Sequence, residues 1–264
     1  MKVSMIQMNM LLGEPDYNFD HAVSLVRKAA ESKPDVITMP ETWNLGFFPK
    51  YSPNSPADKE GNRTKRVLGA LAKEHGVNII AGSVITRYDD NIFNTSYTFD
   101  RQGCLVASYN KAHLFSPMGE DLHFSKGGHL STFELDGVRC GIAICYDIRF
   151  PEMIRTMSLT TIDILFVVAQ WPQARLEHWQ TLNKARAIEN QIFVCCTNSV
   201  GTAGDVRYGG HSAVISPWGD ILREGGDFEE IISEEMDLSI VEGIRTGMNI
   251  YRDRRPELYS GLLS

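Results

Sequence analysis

An α/β layered fold is what this 264-residue sequence predicts, and three observations carry it. Apolar runs of strand length recur along the whole chain. Between several of them the apolar positions switch to the helical i, i+3, i+4, i+7 spacing. Hydrophobic residues make up 43% of the chain, enough to bury a sizeable core between layers. With no internal repeat and no low-complexity segment, residues 1–264 read as a single domain.

The elements follow in order. "KVSMIQMN" reads as a strand, and Ala22, Leu25, Val26 and Ala29 mark one face of a helix. "DVITMP" is a short apolar strand ended by Pro40. The stretch "KYSPNSPADKEGN", Lys50 to Asn62, has two prolines and no period, and reads as a loop. Val67, Leu68, Leu71 and Ala72 give a second helix with Gly76 placed as its C-terminal cap. "NIIAGSV" is another strand. In "FNTSYTF", Phe93, Thr95, Tyr97 and Phe99 share a strand face at period two. Strands continue at Leu105 to Tyr109, Val138 to Ile144, Asp163 to Ala169, Ile192 to Asn198 and His211 to Ser216. Pro151 suits the first position of a helix, with Glu152 in its first turn. Leu176, Trp179, Leu182 and Ala185 suggest a helix before Ile192.

Composition excludes several classes. The net charge is −7 with no basic stripe, which argues against a nucleic-acid partner. No run of about 18 apolar residues exists to span a membrane. "MKVSMIQMNMLLGEPD" does not read as a secretory signal, since Gln7, Asn9, Glu14 and Asp16 break it up. Five cysteines, with Cys195 and Cys196 adjacent, fit a reducing cytoplasm better than a disulfide framework. There is no G-x-G-x-x-G, no phosphate-binding loop and no G-x-S-x-G. His113, His123 and His129 lack helical metal-ligand spacing, so no metal is expected.

Three reactive residue types stand just beyond apolar runs: Glu41 after "DVITMP", Lys111 after "LVASYN" and Cys145 after "CGIAI". Ligand sites of open α/β sheets lie at the carboxyl ends of strands. Together the three make chemical sense. A carboxylate takes a thiol proton, and an ammonium stabilises first the sulfur anion and then an oxyanion. Taken singly, each has a plainer reading: a core thiol, a turn carboxylate and a surface cation.

"MPETWNLGF", "NKAHLF" and "ICYDIRFPE" resemble the three catalytic segments of the nitrilase superfamily of carbon–nitrogen hydrolases. The likeness continues through "AQWPQARLEHWQTLNKARAIENQIFV" and "GHSAVISPWGDIL" and covers roughly Met1 to Tyr259. It implies a four-layer α-β-β-α sandwich, usually dimeric or larger, with no metal or organic cofactor. It also implies Glu41 as general base, Lys111 as oxyanion stabiliser and Cys145 as nucleophile, with Tyr146 lending a backbone N–H to the oxyanion. Glu120 in "SPMGEDLHF" matches a second glutamate that orients the lysine or the hydrolytic water; its plainer reading is a loop carboxylate.

Within that superfamily the chain looks most like the ω-amidase branch, which hydrolyses the terminal amide of 2-oxoglutaramate and 2-oxosuccinamate. Arg149, four residues past the thiol, matches the arginine that grips the substrate carboxylate. Trp171 stands where an aromatic residue lids the site, and Arg175 follows it. Eukaryotic members tend to carry Phe and a small hydroxyl residue at these two positions. The readings left open are an amidase for a larger substrate such as deaminated glutathione, a nitrilase, and a non-catalytic binding protein on the same fold. The segment Phe115 to Gly128 and the loop from Lys50 are expected to shape the entrance.

Overall fold

The first strand explains the architecture. Val3 to Met8 are all buried, odd and even positions alike, because the strand has a layer on each side. Val3 and Met5 point into a core shared with a second sheet, while Ile6 and Met8 point into a core shared with helices. The computed structural model describes residues 1–47 and 56–259, so the predicted Lys50–Asn62 loop lies outside the described residues as far as Ser55.

In chain order the elements are β1 (Lys2–Gln7), α1 (Pro15–Ala30), β2 (Val36–Thr38), β3 (Asp58–Lys59), α2 (Asn62–His75), β4 (Asn78–Ile80), β5 (Val84–Tyr88), β6 (Asn91–Phe99) and β7 (Leu105–Asn110). There follow β8 (Thr132–Leu135), β9 (Val138–Ile144), α3 (Pro151–Ser158), β10 (Ile164–Ala169), α4 (Leu176–Asn190) and β11 (Phe193–Asn198). The chain continues through β12 (Val200–Ala203), β13 (Val206–Gly209), β14 (Ala213–Ile215), β15 (Ile221–Glu224), β16 (Glu230–Glu235), α5 (Ser239–Gly247) and α6 (Pro256–Tyr259).

Among the described residues, one sheet has the order β16-β1-β2-β4-β6-β5-β3, with β7 also paired to β6. A second has the order β15-β14-β11-β10-β9-β8, and β12 and β13 form a separate hairpin. β1, β2 and β4 run parallel, as do β9, β10 and β11. The two sheets face each other, with Val3, Met5, Val36 and Ile80 of the first packed into the cluster that holds β9 to β11 of the second. A hydrogen bond between the Thr38 and Thr197 hydroxyls crosses the same gap. α1 and α2 cover the outer face of the first sheet; α3 and α4 cover the second. This is the α-β-β-α order of layers.

Most predicted elements form where their patterns lie, and the departures have causes. "NIIAGSV" is two strands, β4 and β5, because Gly82 turns the chain at φ +59° with Pro40 O only 2.0 Å from where a Cβ would sit. Helix α4 buries Trp179, Asn183, Arg186, Ala187 and Asn190, a largely polar stripe, while Leu176, Leu182 and Ala185 are half-buried. That face packs on the turn after Cys145, where backbone carbonyls need donors: Arg186 Nε donates to Ile148 O at 2.9 Å. The hairpin β12–β13 and the edge strands β8, β15 and β16 carry no clean apolar period.

Candidate active site

β9 is buried along its apolar run from Cys140 to Ile144 and stops at Cys145, whose backbone adopts φ +48°, rare for a residue with a Cβ. A 3-10 turn, Cys145–Arg149, then leads into α3, with Pro151 at its first position as predicted. The N–H groups that open such a turn have no partner within it, and those of Cys145 and Tyr146 stand there. Asp147, fully buried, ties the turn down. One of its oxygens accepts from the Ile144 N–H (2.9 Å) and the Tyr109 hydroxyl (2.8 Å), the other from the His113 N–H (3.0 Å) and Nδ1 (2.9 Å). The segment after Lys111 is thereby fastened to the segment after Cys145.

Glu41 follows Pro40 at the carboxyl end of β2, and Lys111 directly follows β7. The Glu41 N–H donates to Ala169 O, and Glu41 Oε2 accepts the Gln170 N–H at 2.8 Å, so the end of β10 holds this residue of the opposite sheet. Lys111 is 1% exposed, and its Nζ donates to Glu41 Oε1 at 2.8 Å and to both oxygens of Glu120 at 3.0 and 2.9 Å. Glu120 is fully buried and accepts the Phe115 N–H at 2.6 Å. Glu41, Lys111 and Cys145 line one cleft of about 390 Å³.

Electrostatics follow from one cation among two carboxylates. Burial alone would lower the Lys111 pKa, but the Glu120 and Glu41 charges outweigh it and hold the ammonium well above its ordinary value. Burial raises Glu120 above the usual carboxylate range, with Lys111 opposing and Glu41 reinforcing. Burial, then the charge of Glu41, pushes the Cys145 thiol well up, so it rests as the neutral thiol. The cluster thus holds a protonated sulfur beside a carboxylate that can take its proton and an ammonium that can meet the charge released.

The remaining predicted residues line the same cleft. Tyr146 sets its ring edge-on to Phe115 at 5.0 Å and Phe150 at 5.2 Å. Arg149 stacks over Trp171 at 4.8 Å, and its Nη2 meets His178 Nδ1 at 3.2 Å. Arg175 stacks over Phe115 at 5.1 Å. Neither guanidinium has a carboxylate partner among the described residues, and burial followed by the charge of Arg175 lowers the Arg149 pKa. Trp171 is a wall rather than a lid: it is 2% exposed, with its indole N–H on Arg175 O at 2.7 Å and its ring against Trp179. From the Phe115–Gly128 segment, Phe115 and Met118 border the cleft.

Sequence reasoning missed Asn94, Gln170, Phe47 and Tyr208. Asn94 sits on the polar face of β6, and Gln170 acts through its backbone. Tyr208 arrives on the unread hairpin; burial, then the charge of Glu41, raises its pKa. Among the described residues no group of three metal-ligating side chains occurs, and no helix is long and apolar enough to cross a membrane.

A four-layer sandwich with a thiol, carboxylate and ammonium gathered at its strand ends is the pattern of the carbon–nitrogen hydrolases, and this chain belongs to that family, which matches residues 2–246. It is an enzyme that hydrolyses carbon–nitrogen bonds. The chain is 42% identical to the 2-oxoglutaramate amidase of Bacillus subtilis (strain 168), across 97% of this chain and 98% of that one. It is 32% identical to the omega-amidase NIT2 of Xenopus tropicalis, covering 92% and 91%. Its structure superimposes at a TM-score of 0.90 on a carbon–nitrogen hydrolase superfamily protein from Xanthomonas campestris, 29% identical, with 97% of each chain covered.

Proposed function

We propose that the chain is a cysteine-dependent amidase that hydrolyses the terminal amide of small 2-oxo dicarboxylic acid monoamides, 2-oxoglutaramate and 2-oxosuccinamate, to the acid and ammonia. One observation carries this reading: Cys145, flanked by Glu41 and Lys111, shares a cleft with two guanidiniums that face no carboxylate among the described residues. Such a pair recruits an anion, and a planar carboxylate is the natural match for the arginine fork. The likeness to a 2-oxoglutaramate amidase supports the same substrate class.

In this mechanism Glu41 accepts the thiol proton as the sulfur of Cys145 attacks the amide carbon. Lys111 and the Tyr146 N–H hold the tetrahedral oxyanion, with Glu120 keeping the ammonium in place. Glu41 returns the proton to nitrogen, the C–N bond breaks and ammonia leaves, and a thioester remains. Glu41 then takes a proton from water as its oxygen attacks the thioester. The C–S bond breaks, the sulfur regains its proton and the carboxylic acid departs. Proton transfer of this kind contributes roughly 10²–10⁴-fold.

The test is ammonia release from 2-oxoglutaramate against glutamine, which differs by an amino group in place of the oxo group. A clear preference for 2-oxoglutaramate is expected. Equal rates mean that the oxo group is not read and end the assignment of substrate.

A further inference from the structure

Asn94 lies in β6 with its side chain fully buried. Its Nδ2 donates to Glu41 Oε1 at 2.8 Å and reaches Glu120 Oε1 at 3.3 Å. The same two oxygens take hydrogen bonds from Lys111 Nζ. Two carboxylates therefore turn toward one ammonium and one amide. Ionised carboxylates only accept, so the amide must present its NH₂ side. Its own Oδ1 is left buried and unpartnered, so the carboxylates, not a balanced set of bonds, set the orientation of this amide.

The need for a second donor is electrostatic. Neighbouring carboxylates tend to share one proton, and a proton held between Glu41 and Glu120 takes the base out of action. Among the described residues, the titratable groups that interact with Glu41 are Lys111, Glu120, the Cys145 thiol and the Tyr208 phenol, and of these Lys111 is the cation. The ammonium cannot both neutralise two carboxylates and turn to an oxyanion without help.

We propose that Asn94 is a positioning residue for the base: by donating to Glu41 and Glu120 at once it holds them as two separate acceptors, so that the Cys145 proton passes to Glu41 and Lys111 stays available to the oxyanion. This rests on the reading of Glu41 as base given above, and Asn94 itself touches no substrate.

The experiment compares wild type, Asn94→Ala and Asn94→Asp from pH 5 to 9 by two readouts. One is kcat/KM on 2-oxoglutaramate. The other is the rate of Cys145 alkylation by iodoacetamide, followed by intact mass. In Asn94→Ala the acid limb of both profiles moves up by about one pH unit, so the rate on that limb falls about tenfold. At pH 9 the rates stay within about twofold of wild type, and KM changes little. Asn94→Asp, nearly the same size but without the donor, shifts the limb at least as far. A limb that stays in place, a loss equal at every pH, or an Asp variant with the wild-type profile overturns the proposal. If Asn94→Ala does not fold, Asn94→Asp against Asn94→Ser, which keeps a hydroxyl donor and is expected to fall nearer wild type, reads the same contrast. The two readouts separate the failures. A shifted alkylation limb in an enzyme that releases no ammonia from the amide keeps the Asn94 role and sinks the substrate. Turnover with an unshifted limb does the reverse.

Discussion

Replacing Lys111 with methionine keeps most of the side chain's volume and deletes its charge. In the wild type Nζ makes three hydrogen bonds of 2.8–3.0 Å to Glu41 and Glu120, all three side chains being at most 1% exposed. Removing one partner of a buried ion pair costs about 3–5 kcal/mol, because the charge left behind is neither solvated nor matched. Here two carboxylates are left, but Asn94 Nδ2 and the N–H groups of Gln170 and Phe115 still donate to them, so the same range applies. For a chain of this size it corresponds to a fall in Tm of about 6–20 °C. Calorimetry at pH 8 measures it, and at pH 5 the deficit should shrink, since one carboxylate then takes up a proton. The double variant Lys111→Met/Glu120→Gln should recover part of the loss at pH 8. A Lys111→Met protein melting within about 2 °C of wild type at pH 8, or a deficit unchanged at pH 5, refutes the reasoning.

Three further outcomes are expected. Cys145→Ala should fold normally and lose turnover, and a variant keeping a tenth of the wild-type rate removes Cys145 as nucleophile. Arg149→Met should lower kcat/KM on 2-oxoglutaramate about 10–150-fold, the worth of a charge-assisted hydrogen bond at about 1.5–3 kcal/mol, and leave an uncharged amide of similar length nearly unaffected; equal losses on both place Arg149 elsewhere in the reaction. Glu120 has a folded-state pKa raised by burial, so its contribution to stability is fully present below the ordinary carboxylate value and is lost as pH rises through the raised one. The difference in Tm between wild type and Glu120→Gln should therefore move in favour of the wild type as pH falls from 8 to 5, and a shift of opposite sign counts against the buried, raised carboxylate.

Cys145, Lys111 and Glu41 were legible in the sequence because each stands just past an apolar run where a strand ends, and an abrupt change of polarity is visible in one dimension. The run Val138 to Ile144 became β9 residue for residue. Asn94 was not legible. Period two in β6 picked out the face of Phe93, Thr95, Tyr97 and Phe99, and nothing in the spacing singled out the alternate positions Asn94, Ser96 and Thr98. They are buried, because this strand too lies between layers, and a strand buried on both sides with polar residues on one of them looks half-exposed from its sequence. Helix α4 hid its packing for a related reason: its inner stripe satisfies backbone carbonyls and so is polar. Tyr208 comes from a short hairpin with little apolar content, and its place depends on tertiary contacts that local spacing does not encode.

The pairing of β1 with β16 has a consequence in time. Lys2 partners Glu235, so β1 borders on a strand that is synthesised long after it. At about 5–20 residues per second, that flank of β1 stands without a neighbour for roughly 10–50 s of synthesis. An apolar strand with unpaired N–H and C=O groups is a template for any extended segment that meets it, including its copy on the next ribosome of the same message.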